Sequence, residues 1–362
     1  MIKLRLVENP MPTGSKDTDV LLNWILDSIG LIRRKSESGG KEEIGTLHRI
    51  FKDALLVEPL KGWDTKSLGD VCGLSQTGMH HQMVKLRESG LVSAENDGRW
   101  HIYVLRGGSI TAAIDLLAIQ AKGIMELRLT ELGKYIDQST KRMETMTEVS
   151  EIKFKIKISE PSATRHNDDR LDALIDDLGF NGERAKEGDD LARNVFTEMA
   201  KSSNPVTILS LADKLSESRS RIQRTIDRLR SSNIIERVPM VDRIAQDVYI
   251  GMMRQYDARG EKWLLTRGGL GRIDGDVSKK LLSGVKKKSL NIEKVQEILE
   301  PVSLESQKLL LNTLGGRMPY GFRIAGSNGE DVKERTMRQV ERVLRRLKTV
   351  AQRLEKSLST DN

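Results

Sequence analysis

The chain has 362 residues, with 60 Lys and Arg against 52 Asp and Glu, and only 4% of its residues are aromatic. That length supports two or three domains with cores of their own, and the composition suits a helix-rich soluble protein whose core is Leu, Ile, Val and Met. No run approaches the roughly 18 apolar residues of a membrane span, Met1 to Pro10 lacks the apolar centre of a signal peptide, and the one cysteine, Cys72, is too few for a disulfide or a structural zinc site.

Charge divides unevenly along the chain. Residues 1 to 200 carry 28 Lys and Arg against 32 Asp and Glu, whereas residues 201 to 362 carry 32 against 20. The basic excess of the second half favours a polyanionic partner there, because clustered Lys and Arg displace counterions from phosphates.

Taken in order, the elements repeat. Lys3-Leu-Arg-Leu-Val-Glu8 alternates like a strand and leads through Thr13 and Asp17 to a helical stretch with Trp24 and Ile25, ending at Gly30. Lys155-Ile-Lys-Ile-Ser-Glu160 alternates in the same way and leads through Thr164 and Asp168 to Leu174, Ile175 and Gly179. An amphipathic helix follows in each, Gly45 to Val57 with Ile50-Phe51 and Asp190 to Lys201 with Val195-Phe196. Residues 67 to 92 then align without a gap on 210 to 235, placing Ser67, Leu68, Asp70, Ser75, Leu86, Arg87 and Ser89 on Ser210, Leu211, Asp213, Ser218, Leu229, Arg230 and Ser232. Each copy next reaches a Trp followed by Arg-Gly-Gly, at Trp100 with Arg106 and at Trp263 with Arg267. Two repeats are therefore expected. Repeat 1 covers 1–107, a long connecting helix 108–148, repeat 2 151–275, and a basic helical region 276–362.

The aligned block reads as two helices joined by a tight turn. Asp64 and Thr207 are suited to cap the first helix, which is expected to bury Leu68 and Val71 or Leu211 and Leu215, and each second helix is expected to start at a serine. In the second helices Met79, Met83 and Leu86, and Ile222, Ile226 and Leu229, fall on one face. In the first copy Asn96-Asp97-Gly98 predicts a hairpin between Leu91–Glu95 and Arg99–Val104. In the second copy strands are expected near Ile235–Val241, Val248–Met253 and Lys262–Thr266, with a turn at Asp257–Gly260.

The segment from Leu74 to Val92 with its hairpin resembles winged helix-turn-helix regulators of the ArsR and MarR type, found in archaea and bacteria. The resemblance covers about 60 residues in the first copy and about 80 in the second. It implies a mainly α fold with small β-wings (α+β), built as two tandem winged helix-turn-helix domains plus long helices. It further implies a second helix in the DNA major groove and a wing along the backbone. The cysteine pairs of metal-sensing members are missing, so no metal and no cofactor is expected.

On that reading the DNA-contacting residues are Gln76, Thr77, His80, His81, Lys85 and Arg99 in the first copy, and Arg219, Ser220, Gln223, Arg224, Arg228 and Lys262 in the second. Arginine is favoured because its guanidinium pairs bidentately with guanine. The expected function is a sequence-specific, double-stranded-DNA-binding transcriptional regulator, cytoplasmic and nucleoid-associated, with protein partners in the transcription machinery. The alternative is a winged-helix scaffold or adaptor in a chromosome-segregation or basal transcription assembly. No carboxylates, histidines or nucleophiles gather at a motif, so no enzyme is expected. A homodimer is expected. The stripe Val340, Leu344, Leu347, Ala351, Leu354 and Leu358 either forms it or packs on its own domain.

Overall fold

The alternating segments form strands β1 (Lys3–Val7) and β4 (Lys155–Ser159), and they pair with each other, antiparallel. The computed structural model describes residues 2–32, 45–98, 100–136, 152–161, 170–182 and 188–360. Thr164, Asp168 and Arg99 lie outside the described residues. Among those described, the chain is mainly helical, with fourteen α-helices and three antiparallel sheets of two strands each. No helix among them is long and apolar enough to cross a membrane.

Helices α1 (Thr18–Ser28) and α6 (Arg170–Asp177) follow the two strands and stop in the same way. Gly30 and Gly179 take positive φ angles, +71° and +80°, at which a left-handed residue closes the helix. In both, the glycine N–H donates three residues back into the helix end, to the carbonyls of Asp27 and Asp176, and the next residue donates to those of Leu26 and Ile175. A Cβ on Gly30 would meet Arg5 Cβ at 2.9 Å, and one on Gly179 would meet Lys157 Cβ at 2.9 Å. Sheet and helix approach too closely for any other residue there.

The next helices are α2 (Thr46–Ile50), continued by a π-helical turn to Leu55, and its counterpart α7 (Leu191–Lys201). Then come α3 (Thr65–Cys72) and α4 (Gln76–Glu88) in the first half, and α8 (Ile208–Leu215) and α9 (Arg219–Ser231) in the second. The caps expected at Asp64 and Thr207 form, and the serines expected to open the second helices are their N-caps. Asp64 accepts from the N–H groups of Lys66 and Ser67, Thr207 from Ser210, Ser75 from Gly78 and Ser218 from Arg221. The tight turn is left-handed at Gly73 and at Ser216. Leu68 and Leu211 are buried as expected, but Val71 is 48% exposed and Cys72 takes the inward position instead.

The strands after these helices differ between the halves. In the first, β2 (Val92–Asp97) pairs with β3 (Trp100–Leu105), so Asn96 and Asp97, expected in the turn, are paired in the ladder instead. In the second half β5 (Ile235–Pro239) pairs with β6 (Tyr320–Ile324). The strands expected at Val248–Met253 and Lys262–Thr266 are instead parts of α10 (Val241–Thr266). Ile244, Val248 and Met252 recur every four residues and are all buried, which is helical spacing. Gly260 does leave helical geometry, at φ +72°, but as a kink within α10.

Residues 241 to 319 are thus inserted between two paired strands. Helix α10 packs there with α11 (Gly275–Lys286), α12 (Ile292–Leu299) and α13 (Leu304–Thr313) around a separate hydrophobic core. The two ends of the insertion are adjacent, because Met240 N–H donates to the Pro319 carbonyl at 2.9 Å. Arg267-Gly-Gly therefore belongs to the insertion and has no kinship with Arg106-Gly-Gly, and the second repeat runs past its expected end at 275.

Long helices close both halves. Helix α5 (Ile110–Gly133) follows β3, and α14 (Gly329–Thr360) follows β6, each after a gap of four residues. They pack antiparallel, with Lys122 on Glu341, Asp115 on Lys348 and Gly133 against Gly329. The stripe Val340, Leu344, Leu347, Ala351 and Leu354 is buried on α5 and α1 of the same chain, so it is not available to a second copy. On α5 Met125 and Leu129 are buried and Leu127 is 70% exposed. One core runs through both halves.

The halves are related by an internal two-fold. Short bridges join Trp63 to Tyr103 and Val206 to Phe322, which makes β3 and β6 counterparts. Counting on from these bridges, Lys122 corresponds to Glu341, and the two form an ion pair with each other at 2.6 Å. In the β1–β4 sheet Arg5 faces its own counterpart, Lys157. A residue that meets its counterpart lies on a two-fold axis.

Candidate nucleic-acid interface

Helices α4 and α9 are held by the same contacts. The buried faces are Met79, Met83 and Leu86 in one and Ile222, Ile226 and Leu229 in the other. Ser89 and Ser232 hydroxyls donate to the carbonyls of Leu86 and Leu229 at 2.7 and 3.0 Å, and Gly90 and Asn233 end the helices at φ +80° and +63°. Asparagine is one of the few residues besides glycine that adopts this conformation readily, so the departure at 233 keeps the backbone of the first copy.

The opposite faces carry the residues singled out by sequence, and these correspond one to one. Gln76, Thr77, His80, His81 and Lys85 occupy the positions of Arg219, Ser220, Gln223, Arg224 and Arg228. All five on α4 are exposed. On α9, Arg219, Ser220 and Arg224 are exposed. Gln223 is half-buried and donates to Asp227 Oδ1 at 2.8 Å.

Arg228 is turned away from this face. Its Nη1 donates to the carbonyls of Phe180 at 2.7 Å and Asn181 at 2.9 Å, so the guanidinium fastens the loop after α6. Burial, then the charge of Arg224, pulls its pKa down from the usual arginine value. Arg221 is likewise engaged, by both oxygens of Asp189 at 2.9 Å and by Glu217. Lys262 is exposed but sits on α10 in the inserted module, not on a strand beside α9. Rings of His80 and His81 are 6.3 Å apart and edge-on, and among the described residues no cluster of His, Cys, Asp or Glu could hold a metal.

Three cations beside α9 escaped the sequence reading. Arg5, Lys155 and Lys157 line, together with Arg221, Arg224 and Arg228, a cavity of about 700 Å³ between α9, β4 and the loop after α6. The available signal was the alternation itself. Lys3, Arg5, Lys155 and Lys157 occupy the polar side of each strand, and the pairing of β1 with β4 brings two of them together.

Comparison with protein families, with curated proteins and with solved structures finds no match to this chain.

Proposed function

We propose that the chain is a double-stranded-DNA-binding regulator in which each half is a winged helix-turn-helix and α4 and α9 enter successive major grooves. One observation carries the reading. Two equivalent helices, each capped, each buried on one face and solvent-facing on the other, belong to halves related by an internal two-fold. Duplex DNA has the matching symmetry, and dimeric helix-turn-helix proteins use it. Here a single chain supplies both halves, and the pair β2–β3 serves as the first wing. The module at 241–319 replaces the tip of the second.

Charge differs between the two readers. Helix α9 offers Arg219 and Arg224, whereas the exposed face of α4 offers Lys85 with polar neighbours, so the α9 half-site supplies more of the affinity and the α4 half-site more of the neutral hydrogen bonding. The same imbalance favours, as second reading, a scaffold whose α4 face meets protein.

The test is selection of genomic fragments by the purified chain, then titration of an enriched fragment and a scrambled control over a salt series. Enrichment of a motif, with affinity that falls with salt for both and persists longer for the motif, supports the regulator. Arg219→Ala should weaken binding about tenfold, as loss of a charged contact does, and Lys85→Ala less. No binding at low salt, or equal affinity for both variants and the parent, refutes the assignment and leaves the scaffold.

A further inference from the structure

We propose that the cavity between α9, β4 and the loop after α6 binds a small molecule that carries several linked phosphate groups. Six cationic side chains, Arg5, Lys155, Lys157, Arg221, Arg224 and Arg228, line it. Among its described lining residues the carboxylate is Asp189, and Arg221 already holds both its oxygens. Its volume of about 700 Å³ is that of a small-molecule site, and Ile156, Leu178 and Phe180 supply an apolar wall.

Two of these charges are fixed in place before any ligand arrives. Arg228 is clamped by two carbonyls, and Gly182, at φ +86°, leaves room for it, since a Cβ there would sit 2.9 Å from Arg228 Cζ. Lys157 Nζ donates to the Asp176 carbonyl at 2.7 Å. Arg5 and Lys157 stand directly opposite in the β1–β4 ladder, where like charges repel. A polyanion between the strand and α9 would offset that repulsion, and guanidinium groups grip phosphate oxygens in pairs.

The equivalent place in the first half is not built this way. Gly78, His81 and Lys85 stand where Arg221, Arg224 and Arg228 stand in the second. Among the described residues this cationic lining therefore belongs to the second half. Because Arg224 belongs both to its rim and to the exposed face of α9, an occupied cavity would compete with DNA for that side chain. This last consequence rests on the DNA reading of α9, whereas binding in the cavity does not.

The experiment uses the full chain without DNA, titrated calorimetrically with inorganic triphosphate and, separately, with sulfate. Triphosphate should bind saturably at about micromolar concentrations, at least tenfold more tightly than sulfate, and more weakly as salt rises. Lys157→Gln and Arg224→Gln should each lower the affinity tenfold or more, as loss of one charge-assisted hydrogen bond does. Arg224 is exposed, so its variant should keep the parent's thermal midpoint when no ligand is present. The proposal is overturned if triphosphate and sulfate bind equally weakly, or if neither variant changes triphosphate binding. It is also overturned if a DNA duplex binds through these two residues while triphosphate does not, since the cavity would then be part of the DNA track. Retained triphosphate binding by a chain that ignores DNA would leave the cavity standing and remove only the regulator.

Discussion

Asn233 holds a left-handed conformation that most side chains resist. Asn233→Gly should leave stability near that of the parent, whereas Asn233→Val should cost about 1–2 kcal/mol, because a β-branched residue clashes with its own carbonyl at positive φ. Equilibrium denaturation of both variants checks this, and equal midpoints would remove the conformational explanation. His48 makes a second prediction. It is 1% exposed, with Nε2 3.5 Å from Asp19 Oδ1 and Lys52 on the same carboxylate. Burial pulls its pKa below the ordinary imidazole value of 6.5, with Lys52 adding to the effect and Asp19 and Asp53 opposing it. The folded chain thus resists a proton that the unfolded chain accepts. Stability should be unaffected by this group above about pH 7 and should fall as pH drops through 6.5 towards the lowered folded value. In His48→Leu the fall between pH 7 and 5 should be shallower. A parallel decline in both proteins would show that other groups are responsible.

At the scale of elements, the contact that fixes the two halves is α5 against α14. Its tightest point is Gly133 against Gly329, where a Cβ on Gly133 would lie 3.2 Å from Gly329 Cα and one on Gly329 would lie 2.5 Å from Gly133 Cα. Both neighbours are backbone and cannot swing aside. Gly329→Ala should therefore destabilise the chain by about 1–3 kcal/mol, more than Gly133→Ala, with both measured by chemical denaturation. Inversion of that order would mean the helices part more easily than their packing implies. The sequence showed both helices and most of the buried stripe of α14. It could not show that each is the other's partner, because an apolar stripe states that something covers it and not what.

For the whole molecule, a single core joins the halves while residues 241–319 bury a core of their own. Calorimetry should resolve two unfolding transitions. Replacement of residues 241–318 by a two-residue Asn-Gly turn should abolish one of them and leave the other near its original temperature, since Pro239 and Tyr320 are already paired across the β5–β6 ladder. Loss of both transitions would mean that the module supports the main core.

The sequence by itself determined most of what has a short-range cause. Caps at Asp64, Thr207, Ser75 and Ser218, left-handed stops at Gly30 and Gly179, and the inward faces of α4 and α9 follow from hydrogen bonds and periodicity within a few residues. The repeat was legible for the same reason, up to Ile235. Beyond it, a chance pairing of Trp with Arg-Gly-Gly outweighed the helical spacing of Ile244, Val248 and Met252, and hid an insertion whose two ends meet only through the β5–β6 pairing. Tertiary structure alone decided which strand pairs with which, that α14 is spent within the chain, and that Arg228 serves a loop while Arg5 and Lys157 reach a common cavity. These depend on contacts between residues up to hundreds of positions apart. A linear pattern specifies the face a side chain takes, but not the distant group that will meet it.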